Sequence, residues 1–371
     1  MSAMRLGKFL FSILLLAMLA MFSCALAGCA PSDTWPAGIT DADRATLAAA
    51  PLDVRPWPDG PDGGVIIFTA HYRIHTTIQD QAVRQMLARV LEADYARFMQ
   101  LVPNVGTLPP LNGYVFSDRG EWQEYVVENT GNQATTYLHI YQGGFTRNGV
   151  FATFRSTTDE VLSVVAHEGW HQFSYWALKD HLPAWIDEGI GTQNEQMSWV
   201  NGEPVFDPWQ NYQRWTALRA AVQDDNLLPM QQFAAIQAGD IVVMQPQYVQ
   251  AYYAQLWSLT LYIESTSYRQ NLLAMLDAAR TGKLGLLLDP ALHDGQLTPH
   301  DLAIQSIRWN RISGPIYMKA YFGPDLNTFD QGYLKFVQQL LYYWPPVKNF
   351  DNDSLMGAEL QAAPQGAGGP M

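Results

Sequence analysis

The first half of the chain alternates between strand-like and helix-like patterns of apolar residues, and the second half is almost wholly helix-like. Residues 65–76 (VIIFTAHYRIHT) are β-branched and aromatic, and predict a strand. Over 80–101, Val83, Met86, Leu87, Val90, Leu91, Ala93 and Phe98 recur at helical spacing, and Pro103 ends the run. Residues 112–117 predict a second strand, 121–128 a helix, and 138–141 and 149–155 two more strands. Gly143-Gly144 and Asn148-Gly149 are the expected turns between them. A β-α-β-α-β-β series therefore feeds an apolar helix that begins near Thr157, which forms a capping box with Glu160. Beyond it, the pattern predicts a helix over 184–197 and a hairpin over 199–206 turning at Asn201-Gly202. Further helices follow at 208–223, 248–266, 267–280, 297–309 and 330–344. The expected class is α+β, with a small mixed sheet followed by a mainly helical C-terminal part.

The termini read differently. Arg5 and Lys8 precede an apolar run over 9–27, the form of a secretory signal. Leu26-Ala27-Gly28-Cys29 closes that run and resembles the lipobox of bacterial lipoproteins. The resemblance implies a signal peptide over 1–28 and a lipid on Cys29, which would tether the mature chain to a membrane of the cell envelope. An uncleaved membrane anchor is the alternative. Residues 29–62 are rich in Pro, Asp, Gly and Ala, and predict an extended spacer on which Trp35 and Trp57 could dock. Residues 346–371 predict a disordered tail. The expected division is then an α/β part over 63–157 and a helical part over 158–345.

Composition narrows the chemistry. The chain has 371 residues, 48% of them hydrophobic, enough for a sizeable core. A net charge of −13, or −15 once Arg5 and Lys8 leave with the signal, argues against nucleic acid as a partner. Its two cysteines are Cys24, inside the signal, and Cys29. Any metal held by the mature domain must therefore be bound through His and carboxylates.

The chain supplies such a set. His167, Glu168 and His171 read H-E-x-x-H within the apolar helix, which puts both imidazoles on one face. Glu188, in W-I-D-E-G, is placed to be the third ligand of a zinc ion. Two neutral imidazoles and one carboxylate leave one zinc position open for water. Glu168 would act as the general base toward that water. Glu195, seven residues after Glu188, is the candidate acceptor that fixes a histidine tautomer. Asp187 is the next candidate, although a charge at a helix start explains it better. Tyr253 is the candidate donor to a tetrahedral intermediate, with Tyr252 and His181 as alternatives. His71 and His75 share one strand face and could hold a second metal, but with no carboxylate close by in sequence, histidines on an exposed strand face or in a groove are the better explanation.

His167, Glu168 and His171, followed by Leu182-Pro183-x-Trp185-Ile186-x-Glu188-Gly189 and Glu195, resemble the peptidase MA-like, or gluzincin, pattern, whose members include the M1 aminopeptidases. The chain is most similar to the uncharacterised bacterial DUF1570 type. That likeness extends through His71-Tyr72-Arg73-Ile74-His75, Tyr253-Ala254-Gln255 and Phe322-Gly323. It implies a zincin-like fold, one Zn2+ held by His167, His171 and Glu188, and Glu168 as base. It also implies an edge strand before the motif helix, here 149–155, that pairs with an extended peptide or protein substrate. Two departures matter: sixteen residues separate His171 from Glu188, fewer than in the aminopeptidases, and no G-A-M-E-N-like segment marks a free amino terminus. An endopeptidase or narrow-substrate hydrolase fits better than an aminopeptidase. The rival reading is an envelope lipoprotein that uses the same scaffold to bind protein or peptide without turnover. An intact Glu168 counts against it, and an open ligand position counts against a purely structural zinc site.

Overall fold

The computed structural model describes residues 33–140, 143–241, 244–304 and 307–343. The signal peptide, Cys29 and the C-terminal tail expected from the sequence lie outside them. No helix among the described residues is long and apolar enough to cross a membrane.

The expected α+β class holds. After helix α1 (Asp41–Ala49), strands β1 (Asp53–Pro56), β2 (Val65–Phe68) and β3 (Tyr72–Thr76) lead to the long helix α2 (Gln81–Leu101). Strand β4 (Leu111–Phe116), helix α3 (Arg119–Thr130) and the hairpin β5 (Gly144–Arg147) and β6 (Val150–Phe154) complete a six-stranded sheet. Its order is β1-β2-β3-β4-β6-β5. The β3-β4 and β4-β6 pairs are parallel and the others antiparallel. The motif helix α4 (Thr158–Ala177) and the short helix α5 (Ala184–Thr192) follow, then a small hairpin of β7 (Met197–Val200) and β8 (Glu203–Phe206). Helices α6 (Tyr212–Gln223), α7 (Pro246–Glu264), α8 (Arg269–Thr281), α9 (Ile307–Phe322) and α10 (Leu326–Tyr342) form the rest, with shorter turns between them.

Local chemistry explains most boundaries. The Asp80 carboxylate caps α2, accepting from the Ala82 and Val83 amides at 2.9 and 3.2 Å. Thr157 caps α4 by accepting from the Glu160 amide at 3.2 Å. Both hairpins turn on Asn-Gly pairs with positive φ, 53° and 69° at Asn148 and Gly149 and 54° and 78° at Asn201 and Gly202.

The sheet divides two apolar clusters. On one face Ile67, Ile74, Val115 and Phe151 meet α2 and the first half of α4 through Val161, Leu162 and Val165. On the other, Phe116, Ala152 and Phe154 pack on Trp122 and Val126 of α3. The largest cluster lies outside the sheet. It joins the second half of α4 (Trp170, Phe173, Ala177) to α5, α7 and the C-terminal helices.

Six expectations are corrected. The stretch over 29–62 is not a free spacer where it is described. Asp33 accepts from the Thr158 amide at 2.8 Å, α1 carries its own capping box, β1 pairs with β2, and Trp57 stacks edge-on to His75 at 5.0 Å. The strand before the motif helix is not the sheet edge, because β6 is hydrogen-bonded on both sides and β5 is the edge. Of the strand expected at 138–141, the described residues 138–140 form no strand and follow a short helix, Ala134–Tyr137; the strand instead includes Gly144, read from sequence as a turn. A Cβ on Gly144 would lie 3.0 Å from Ala152 O and 3.2 Å from Glu168 Cγ, so its lack of a side chain lets the strand lie against the motif helix. The helix expected over 184–197 stops at Thr192, and the one expected over 297–309 is a short helix, Pro299–Ile304, followed by α9, which runs through Pro315.

Candidate metal centre

Helix α4 places His167 and His171 one turn apart, and α5 crosses it to bring Glu188 up to both. The two Nε2 atoms are 3.2 Å apart, and Glu188 Oε2 lies 3.3 Å from that of His167 and 3.6 Å from that of His171. Tetrahedral ligation at about 2.0–2.1 Å sets ligand atoms about 3.3 Å apart, so these three atoms have the spacing of one face of a zinc site. Among the described residues, this trio is the group whose donor atoms converge closely enough to hold a metal.

The outer atoms of both rings are committed. His167 Nδ1 faces Glu195 Oε1 at 3.0 Å, and His171 Nδ1 faces Asp187 Oδ2 at 3.0 Å. A carboxylate only accepts, so each neutral ring carries its proton on Nδ1 and turns Nε2 to the metal position. Asp187 is itself fixed by the Trp170 indole, which donates to Oδ1 at 2.8 Å. Asp187 is thus the partner of His171 as well as a charge in the first turn of α5. Glu195 holds the role expected of it by a different route. It lies in the turn beyond the end of α5, where Arg214 of α6 grips it with Nε–Oε2 at 2.8 Å and Nη2–Oε1 at 2.6 Å. That bidentate grip neutralises an otherwise costly buried carboxylate.

Glu168 is buried, 7% exposed, and borders the same cavity. Its Oε2 accepts from the Thr146 hydroxyl of β5 at 2.7 Å. Burial raises its pKa above the ordinary carboxylate range, although His171, His167 and the Thr146 hydrogen bond pull the other way. Burial also pushes the His167 imidazolium down, but hydrogen bonds to Glu188 and Glu195 outweigh that and lift it to about 9. In His171 burial is likewise overcome, mainly by Asp187 and Glu188, and its pKa stands well above its ordinary value. Glu188 resists burial through both histidines and is held well below the carboxylate range.

The three candidate donors separate clearly. Tyr253 of α7 borders the cavity, its ring 6.4 Å from that of His167 and 5.1 Å from the Arg214 guanidinium carbon. Burial, and then the Glu188 charge, raise its pKa well above 10.0, so its hydroxyl keeps a proton to donate. His181 also borders the cavity. Tyr252 is buried and donates to Ile236 O at 3.4 Å, in the helical core.

The cavity has a volume of about 470 Å³ and runs between β5 and the α4–α5 connection. His71 and His75 lie apart from it. His71 bonds Glu92 at 2.6 Å and stacks on Tyr95, and His75 stacks on Tyr114 at 4.5 Å, so aromatic packing accounts for both.

Sequence reasoning missed Thr146 and Arg214. Both come from elements whose spatial neighbours no local pattern reveals: an edge strand read as a turn, and a helix nineteen residues beyond Glu195 in sequence. No protein-family model matches the chain, and no curated protein matches it.

Proposed function

We propose that the chain is a zinc-dependent hydrolase of peptide bonds, of the gluzincin kind, tethered to the cell envelope through a lipid on Cys29. The observation that carries the chemistry is the pairing of Nε2, Nε2 and carboxylate at tetrahedral spacing with two carboxylates that fix both Nδ1 protons. The residues fit zinc: two nitrogen donors, one oxygen donor and no thiolate match an open catalytic set. When bound, zinc would polarise the scissile carbonyl and make water a stronger nucleophile.

The chain's own residues supply the rest. His167, His171 and Glu188 hold the metal, and Asp187 and Glu195 hold the rings in one tautomer. Glu168, steadied by Thr146, takes a proton from the attacking water as the C–O bond forms. It returns that proton to the leaving nitrogen as the C–N bond breaks. Tyr253 donates a hydrogen bond to the oxygen that gains charge. Strand β5, unpaired on one side, offers its backbone to an extended polypeptide beside Glu168.

The test compares zinc-loaded wild type with Glu168→Gln on a peptide library. Wild type should cleave, and the variant should keep about one equivalent of zinc while losing about 100-fold or more in kcat. Protein that takes up no zinc on reconstitution would sink the metal assignment. Zinc uptake without cleavage of any peptide would instead favour the non-catalytic binding reading.

A further inference from the structure

We propose that this cavity selects a basic side chain, lysine or arginine, and that Asp180 is the residue that reads it. This rests on the peptidase reading above and names the substrate class for that site.

The cavity has an apolar wall and one charged position set apart from the metal ligands. Leu178, Leu182 and Tyr175 border it on the side of the α4–α5 connection, and Asp180 and His181 lie between the two leucines in sequence. Asp180 is not a loose surface acid. Its backbone amide donates to Ala279 O at 3.1 Å, and its Oδ2 accepts from the Gly285 amide at 3.0 Å. The carboxylate is therefore fixed in position by a backbone amide through Oδ2, and Oδ1, which accepts no hydrogen bond among the described residues, is left to a ligand. Gly285 is what allows this contact, since a Cβ there would lie 3.2 Å from Asp180 Oδ1.

The charge balance points the same way. Glu168, Asp180, Asp187 and Glu188 all border the cavity, and no Arg or Lys is among the described residues that line it. A divalent ion would offset Glu188 and Glu168, leaving Asp187 committed to His171 and Asp180 uncompensated. An acidic side chain entering this space would meet like charge. A neutral one would leave the fixed carboxylate without a partner. Lysine and arginine have an apolar stem suited to the leucine and tyrosine wall, and a cationic head suited to Asp180.

The test uses three hydroxamate-capped dipeptides that differ only in one side chain: arginine, norleucine or glutamate. Their affinities for the zinc-loaded full chain are measured by calorimetry, which needs no turnover. The arginine compound should bind about tenfold or more tighter than the norleucine compound, and the glutamate compound weakest. Asp180→Asn should erase the arginine advantage while leaving norleucine affinity within about twofold, since an amide can still accept from Gly285. Equal affinities for arginine and norleucine in wild type would overturn the inference even if the variant misfolds. So would an arginine advantage that survives in a folded Asp180→Asn. The peptidase reading fails separately, through absence of cleavage in the zinc-loaded protein, and the hydroxamate series still decides the selectivity. Failure of the zinc-loaded chain to bind any of the three would overturn both.

Discussion

Asp187 and Glu195 occupy equivalent places, one behind each histidine, and their consequences can be separated by substitution. Asp187→Asn keeps the shape but presents an amide that can offer NH2 to His171 Nδ1, favouring the wrong tautomer. Zinc affinity should fall about 10–100-fold, measured by competition with a chromophoric chelator. Arg214 acts one step further out, through Glu195. Protons compete for the same ring nitrogens. In the metal-free protein His167 has its pKa raised from 6.5 to about 9, so its protonation stabilises that fold fully below about 6.5 and the contribution is lost as pH rises through about 9. Zinc requires the neutral ring, so its uptake near neutral pH must expel protons and its apparent affinity must rise with pH up to about 9. Calorimetric titration of zinc in buffers of different ionisation enthalpy should show that release. An observed enthalpy independent of the buffer would contradict it.

Among the elements, α5 is the one whose composition the site explains best. Its sequence AWIDEGIGT places a glycine at each of two close crossings. A Cβ on Gly189 would lie 2.3 Å from Thr260 Oγ1 of α7, and one on Gly191 would lie 2.9–3.1 Å from three atoms of the His167 ring. These glycines let α5 sit between α4 and α7 while Glu188 reaches the metal position. Gly191→Ala should therefore displace the His167 ring and lower zinc affinity more than it lowers folding stability. The check is zinc competition alongside chemical denaturation of the metal-free protein, and a loss confined to stability would refute it. The convergence of the two imidazoles on α4 was legible in sequence because helical spacing is local: His167 and His171 are four residues apart, and their geometry needs nothing but the helix. Glu188 was legible through its W-I-D-E-G segment and the lack of thiols in the mature chain, not through any local geometry. Glu195 does lie beside His167, but not for the reason expected, since helix α5 ends before it and Arg214, not a helical face, holds it. The edge strand was misassigned because Gly144 marks a turn in the local pattern. Only its approach to Glu168 shows why a strand needs glycine there.

At the scale of the whole molecule, α4 belongs to two cores. Its first half packs under the sheet with Val161, Leu162 and Val165, and its second half packs among the C-terminal helices with Trp170 and Phe173. The candidate metal-binding trio lies at that change of partner, and the groups around it come from β5, α5, α6 and α7. A bound ion would then tie the sheet side to the helical side, and the metal-free protein would hold two imidazoles and several carboxylates in close quarters without it. Ligand that binds only the native state stabilises it by about 4 kcal/mol at a thousandfold excess over Kd. Thermal unfolding of wild type should therefore shift upward by several degrees on zinc loading and return on chelation. His171→Ala, which removes one ligand, should lose most of that shift. The decisive signal is whether the two cores respond together. Tryptophan fluorescence reports on both, through Trp199 in the sheet-side core and Trp170, Trp185 and Trp257 among the C-terminal helices, and far-ultraviolet dichroism reports the helices of both halves. Coincident transitions that both move with zinc are expected of a metal that joins the two halves. A transition that splits in two, with one component unmoved by zinc, would mean that zinc stabilises one half alone.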